Sequence, residues 1–264
     1  MLRTRVIPCL QLRGGSLVKT VNFKDPAYIG DPVNTVRIFN ELEVDELAFV
    51  DIEASRNGTA PDLQVLREIA DECFMPLSYG GGIGDMRTAE RIFLIGFEKL
   101  ILNSATFTHP ELVTQLARRY GSQAVIAAID VKRTMLGRYE VAMRSGTRRE
   151  STAPEVWARQ MEERGVGEIL LTSIDREGTW RGFDVALTAR VAAAVKVPVI
   201  AHGGAGSLEH IREVVAGGGA SAVALGSMVV YQNRGMGVLV NFPDRARLSA
   251  ALEAGRGHVE RGEA

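Results

Sequence analysis

The sequence predicts an α/β protein of the (β/α)8 barrel, or TIM barrel, class. Three observations carry that prediction: apolar runs alternate with helical patterns, the length suits a closed barrel, and the second half repeats the first at a fixed offset. Short, continuously apolar strands between helices mark a parallel sheet covered by helices. A chain of 264 residues is the right size for one such barrel. The rival is an open doubly wound sheet. No G-x-G-x-x-G follows the first strand, so the dinucleotide fingerprint of that rival is absent.

Strands are expected near Arg5–Leu10, Glu46–Asp51, Pro76–Tyr79, Glu98–Leu102, Ala124–Asp130, Glu168–Ser173, Pro198–His202 and Ser221–Leu225. Between them the 3.6-residue period predicts helices over Asp31–Leu42, Ala60–Glu72, Met86–Ile95, His109–Arg119, Pro154–Arg164, Val185–Val195 and Leu208–Ala216. We read residues 1–264 as one domain, with half-barrels of roughly 1–121 and 122–250 and a short polar C-terminal tail.

The offset is 122 residues. It carries Glu46 onto Glu168, Asp51 onto Ser173, Pro76 onto Pro198, Gly81-Gly82 onto Gly203-Gly204 and Ser104 onto Gly226. One or two such coincidences arise by chance; a common offset over five strand-linked positions indicates fused halves, each with an equivalent site.

Bulk properties set outer limits. The formal charge is -1 from 31 basic and 32 acidic side chains, and 46% of residues are hydrophobic. That balance gives no reason to expect nucleic acid or an anionic membrane as partner. Lys132, Arg133, Arg138, Arg144, Arg148 and Arg149 do cluster. They read either as a solvated loop or as a rim that steers an anion by its local field. Cys9 and Cys73 have no metal-like spacing, which suits buried thiols in a reducing cytoplasm. Met1–Leu10, with Arg3 and Arg5, lacks a signal-peptide core, and no apolar run reaches the length of a membrane span. A cytoplasmic chain without metal or cofactor is therefore expected.

The glycines point to phosphate. Gly80-Gly81-Gly82 follows one strand and precedes a helix near Asp85; Gly203-Gly204 follows another and precedes Ser207, a suitable N-cap. Glycine lets backbone N–H groups approach an anion closely beside a helix start. Each pair is joined about 22 residues later by a second strand end, Asn103-Ser104 or Gly226-Ser227. One such turn would be ordinary punctuation. Two symmetric pairs predict a ligand with two phosphates spanning the mouth.

Catalytic side chains in this fold come from strand C-termini. Gln11 ends the first strand and Asp130 the fifth, and Asp130 is a candidate general acid or base. Lys19 is expected to reach a phosphate as a mobile point charge, and Asp51 to bind ribose hydroxyls. His202 reads as a packing histidine, Trp157 has no ligand pattern, and Trp180, after Gly178-Thr179, could cover the mouth.

These residues sit in longer motifs. Ile7-Pro8-Cys9-Leu10, Val18-Lys19, Gly80-Gly81-Gly82-Ile83 and Gly121-Ser122-Gln123-Ala124-Val125 lead into Ala128-Ile129-Asp130-Val131-Lys132-Arg133. Later come Gly167-Glu168-Ile169-Leu170-Leu171-Thr172-Ser173-Ile174-Asp175-Arg176 and Gly203-Gly204-Ala205-Gly206. Over almost the whole chain the sequence resembles the cyclase subunit of imidazole glycerol phosphate synthase. The resemblance implies a HisH-type glutaminase bound at the barrel bottom. Ammonia would cross the barrel to a phosphoribosyl-formimino substrate, yielding imidazole glycerol phosphate and an aminoimidazole carboxamide ribotide in histidine biosynthesis. It also implies substrate-binding roles for Thr172, Asp175 and Gly178, and an ammonia gate of alternating charges at Arg5, Glu46, Lys99 and Glu168. All four gate residues lie at strand starts; a plain salt-bridge plug is the other reading.

One departure weighs heavily. The family's first catalytic aspartate, at the end of strand one, is Gln11 here. An amide does not exchange protons usefully, and losing such a group costs about 10²–10⁴ in rate. Tyr28-Ile29-Gly30-Asp31-Pro32, Asp51-Ile52-Glu53-Ala54-Ser55-Arg56-Asn57-Gly58 and Gly237-Val238-Leu239-Val240-Asn241-Phe242-Pro243 are similar to a paralogous branch. That branch is associated with amidation of surface-polysaccharide sugars and with a separate sugar amidotransferase. Two functions of different class follow: a non-cyclising ammonia conduit that activates its partner, favoured by Gln11, and the histidine-pathway cyclase, favoured by Asp130 and Lys19. An isomerase-like enzyme with the same double phosphate site is a third; it needs no ammonia gate.

Overall fold

A computed structural model describes residues 4–259 of the chain. Arg3 and the last residues of the polar tail lie outside the described residues; the tail's start is helical.

Eight parallel strands close into a barrel: β1 (Arg5–Arg13), β4 (Leu47–Asp51), β5 (Leu77–Gly80), β6 (Lys99–Leu102), β7 (Val125–Arg133), β10 (Glu168–Ser173), β11 (Val199–His202) and β12 (Ala222–Leu225). Closure comes from β1 pairing with β12, and β7 with β10. Helices α1 (Pro32–Glu41), α3 (Leu63–Glu72), α4 (Met86–Ile95), α6 (Pro110–Tyr120), α7 (Pro154–Glu163), α8 (Val185–Ala192) and α9 (Leu208–Ala216) surround it. Their starts have local causes. Asp31, Asp62, Asp85, Asp184 and Ser207 each accept an N–H of the first turn, satisfying donors that a helix leaves unpaired.

Alternation along each strand divides the core in two. On β1, Val6, Leu10 and Leu12 pack outward beneath the helices, whereas Ile7 and Cys9 point into the barrel. The inner cluster is narrow and rich in small side chains, with Ala48, Ala128, Ala222 and Ala224 beside Ile101, Ile126, Leu170 and Ile200.

The sequence reading needs correction at the rim. β1 and β7 run on beyond the barrel, each into antiparallel structure that apolar periodicity did not predict. β1 pairs with β2 (Ser16–Val21), which turns into β3 (Lys24–Gly30). The basic segment after Asp130, read as either a solvated loop or a steering rim, is a ribbon of β8 (Tyr139–Met143) and β9 (Arg148–Glu150). Short helices α2 (Ala54–Asn57), α5 (Ser104–Thr108) and α10 (Ser227–Val230) follow three barrel strands, and α11 (Arg245–Val259) buries Leu248 and Leu252.

Candidate functional site

Side chains at the C-terminal ends of the strands line a cavity of about 460 Å³. Gln11, Asp51, Gly81, Asn103, Ser104, Asp130, Thr172 and His202 form its wall, with Phe23, Ser145 and Thr147 added by the two rim hairpins. Most of the remaining sequence-derived set falls into two neighbouring cavities, while Gly82 and Asp175 line none of the three. Lys19, Gly178 and Ser227 line one of about 660 Å³ with Trp180, and Lys19, Gly203, Gly204, Gly226 and Ser227 line the third.

Asp130, Thr172 and His202 lie side by side on adjacent strands. Asp130 pairs in register with Thr172, and Thr172 with His202, so all three face the mouth. The Thr172 hydroxyl lies beside the Asp130 carboxyl across the strand pair, and its oxygen is 3.1 Å from His202 Nδ1. Asn103 Nδ2 donates to Asp130 Oδ2 at 3.1 Å and to the Ala128 carbonyl at 3.2 Å. Burial pushes the Asp130 carboxyl up to about 7; the Thr172 bond opposes this and the negative charge of Glu177 adds to it. A carboxyl poised near neutrality suits proton transfer in either direction. Burial also lowers His202 to about 4, opposed by Glu177 and aided by Lys19, so its ring is neutral at pH 7. The Cys9 thiol, below Gln11 on β1, is pushed up to about 12 chiefly by burial and is inert.

Lys19 is not the mobile cation expected from the sequence. Its ammonium is buried, ion-paired with Glu177, and bonded to the Thr20 carbonyl at 2.9 Å. Glu177, which the sequence reading missed, anchors the rim. Its Oε1 accepts from Thr20 Oγ1 at 3.1 Å and from Gln11 Nε2 at 3.4 Å. Its Oε2 accepts the Phe23 N–H at 3.1 Å, holding the β2–β3 turn where Asn22 and Phe23 adopt positive φ of 53° and 62°. The other end of Gln11 is committed as well, since Oε1 accepts the Thr20 N–H at 3.0 Å. Only its place directly after the motif ending at Arg176 hinted at Glu177; its partner is 158 residues away.

Two other expectations change in detail. Asp51 reaches the cavity, but its Oδ1 accepts the Glu53 and Ala54 N–H groups, both at 2.9 Å, which ties it to the turn leading into α2. Asp175 is turned aside, with Oδ2 accepting the Arg133 N–H at 2.7 Å. At the first glycine turn the Gly82 N–H donates to Ser55 Oγ at 3.4 Å, and Ser104 Oγ accepts from the Arg144 N–H at 3.2 Å. Among the basic residues of the β8–β9 ribbon, Arg148 lies 3.4 Å from Glu150 and Arg149 3.7 Å from Glu140. That pairing reduces the field available for steering.

The barrel floor carries a closed ring of charge. Arg5 lies 2.8 Å from Glu46 and 3.0 Å from Glu168; Lys99 lies 3.0 Å from Glu46 and 3.3 Å from Glu168. Burial lowers the affinity of Arg5 for its proton, but Glu168 and Glu46 outweigh burial and the guanidinium is held above its ordinary value. Each member has two opposite neighbours, the arrangement that offsets the cost of burying charge.

A closed (β/α)8 barrel with a buried carboxyl at its mouth and an ionic floor defines the class. Within it, the histidine biosynthesis protein family matches residues 5–234. The chain is 47% identical over 248 residues to a Pseudomonas aeruginosa protein provisionally named imidazole glycerol phosphate synthase subunit hisF2, covering 94% of this chain and 99% of that one. It is 45% identical over 245 residues to a similarly named Leptospira borgpetersenii protein, covering 92% and 96%. It is 44% identical over 233 residues to imidazole glycerol phosphate synthase subunit HisF of Alkaliphilus metalliredigens, covering 88% and 92%. This chain belongs to that histidine biosynthesis family and is of its HisF type.

Proposed function

We propose that this chain is the ammonia-receiving subunit of a glutamine amidotransferase complex. A HisH-type glutaminase docks beneath the barrel floor, and a ligand with two phosphates binds at the mouth. The carrying observation is the closed ring of Arg5, Glu46, Lys99 and Glu168, each contact between 2.8 and 3.3 Å, at the strand starts. It forms a charged floor to a narrow apolar interior on the side opposite the phosphate turns. Gln11, with both ends of its amide engaged, favours the conduit of the surface-sugar branch, with a sugar amidotransferase as receiver.

A second reading has its own support. Asp130 near neutrality, held by Asn103 and Thr172, favours retained cyclisation, as in the histidine pathway. Two experiments test these readings. Lys99→Ala or Glu168→Ala should uncouple glutaminase turnover from ammonia delivery in the co-purified complex; unaffected transfer rejects the gate. With the family substrate and ammonium salt, the unaltered chain should cyclise slowly, and Gln11→Asp should raise turnover about 10²-fold. Fast cyclisation by the unaltered chain with no gain in the variant rejects the conduit.

A further inference from the structure

We infer that His202 is the ammonia-binding group at the mouth, its Nε2 lone pair accepting an N–H and holding the nucleophile beside Asp130. The inference rests on the reading that ammonia arrives there, but its geometry is independent of the partner.

The first step concerns the one proton of the Thr172 hydroxyl. Thr172 Oγ1 touches both the Asp130 carboxylate and His202 Nδ1, and it can donate to only one of them. A carboxylate is the stronger acceptor once ionised. The hydroxyl therefore donates to Asp130 and accepts from His202, which fixes the Nδ1–H tautomer. Nε2 is left as an acceptor, and no described residue bonds it.

The second step concerns where that lone pair lies. The ring forms part of the wall of both the main cavity and the small cavity at the second glycine turn. His202 is in register with Ala224, and Ile200 below it with Ala222, so the ring stands at the top of the apolar interior. The charges that act on it, Glu177 and Lys19, are paired with each other and offset one another. A neutral ring with a free lone pair rejects phosphate oxygens, which are acceptors too. It takes an N–H or O–H donor. Ammonia arriving from an apolar interior has three donors: the Nε2 lone pair takes one, and Asn103 Oδ1, a buried acceptor without a partner in the same wall, can take another.

The test uses the full-length protein carrying ¹⁵N-histidine, with the His202 signals identified by their loss in His202→Gln. At mildly alkaline pH we expect a ring protonated at Nδ1 alone. Its Nε2 resonance should move saturably with ammonium chloride but not with sodium chloride. Thr172→Val should weaken that response about fivefold, one hydrogen bond's worth. An Nε2–H ring, an imidazolium, no response to ammonium, or a response to potassium phosphate instead would each overturn the inference. No glutaminase is needed. Failed partner binding with an intact ammonia response would remove the complex and leave this role for His202 standing.

Discussion

The two glycine turns have nearly the same backbone and quite different surroundings. Gly81 and Gly82 take positive φ of 130° and 64°, and Gly203 and Gly204 take 96° and 104°. The helices that follow are capped at Asp85 (φ -154°, ψ 165°) and Ser207 (φ -159°, ψ 164°). The second strand ends match as well, Asn103 at φ -115°, ψ -81° and Gly226 at φ -106°, ψ -94°. Side chains break the symmetry. Asn103 turns its amide onto Asp130, whereas Gly226 has no side chain because Lys19 lies there: a Cβ would come 2.9 Å from Lys19 Cε. Lys19 is in turn held by Glu177. A repeated backbone thus carries unlike side chains, with a buried carboxyl beside one turn and a buried ion pair beside the other.

The sharpest way to break that contrast is to remove its buried carboxylate. Glu177→Ala strands the Lys19 ammonium and releases the β2–β3 turn. Breaking a buried pair costs about 3–5 kcal/mol. Urea unfolding should show a loss of that size, and Glu177→Leu with Lys19→Met should recover most of it. Near-unchanged stability in Glu177→Ala would mean the pair holds nothing together.

Asp130 supplies a smaller effect with a definite sign. Its folded value, near 7, lies above its ordinary 3.8. A raised carboxyl favours folding fully below about pH 4, and that contribution is lost as pH climbs to 7. Asp130→Asn removes the loss. The variant should match the unaltered protein near pH 4 and exceed it at pH 8 by about 1–2 kcal/mol, a value reduced for solvent at the open side of the carboxyl. Melting curves at both pH values decide the matter; a constant difference would place Asp130 outside the buried network.

The smallest effect sharpens the comparison most. Gly226→Ala crowds Lys19 at the second turn and leaves the first untouched. Phosphate titrations followed by backbone amide shifts should show about a tenfold weaker second site, roughly 1.4 kcal/mol, and an unchanged first site. Equal weakening at both would show that the turns do not act separately.

The barrel, most strand and helix positions and the strand-end residues facing the mouth were legible in the sequence. Their signals are local or periodic: apolar runs, caps such as Ser207, glycine pairs at a constant offset. The family resemblance implied the four floor charges, although their 2.8–3.3 Å closure is a fact of the closed sheet. The rim hairpins were not legible. The β8–β9 ribbon is charged, and Arg144 and Ser145 carry positive φ of 52° and 55° at its turn without the Asn-Gly signal of such turns. Its pairing comes from β7 running on past the barrel. Tertiary structure alone decided that Lys19 is held rather than free, that Asp175 faces away, and that His202 lines the mouth. The physical reason is the same in each case. A side chain's partner is set by which strands close beside one another, and residues 158 positions apart in the chain meet only once they do.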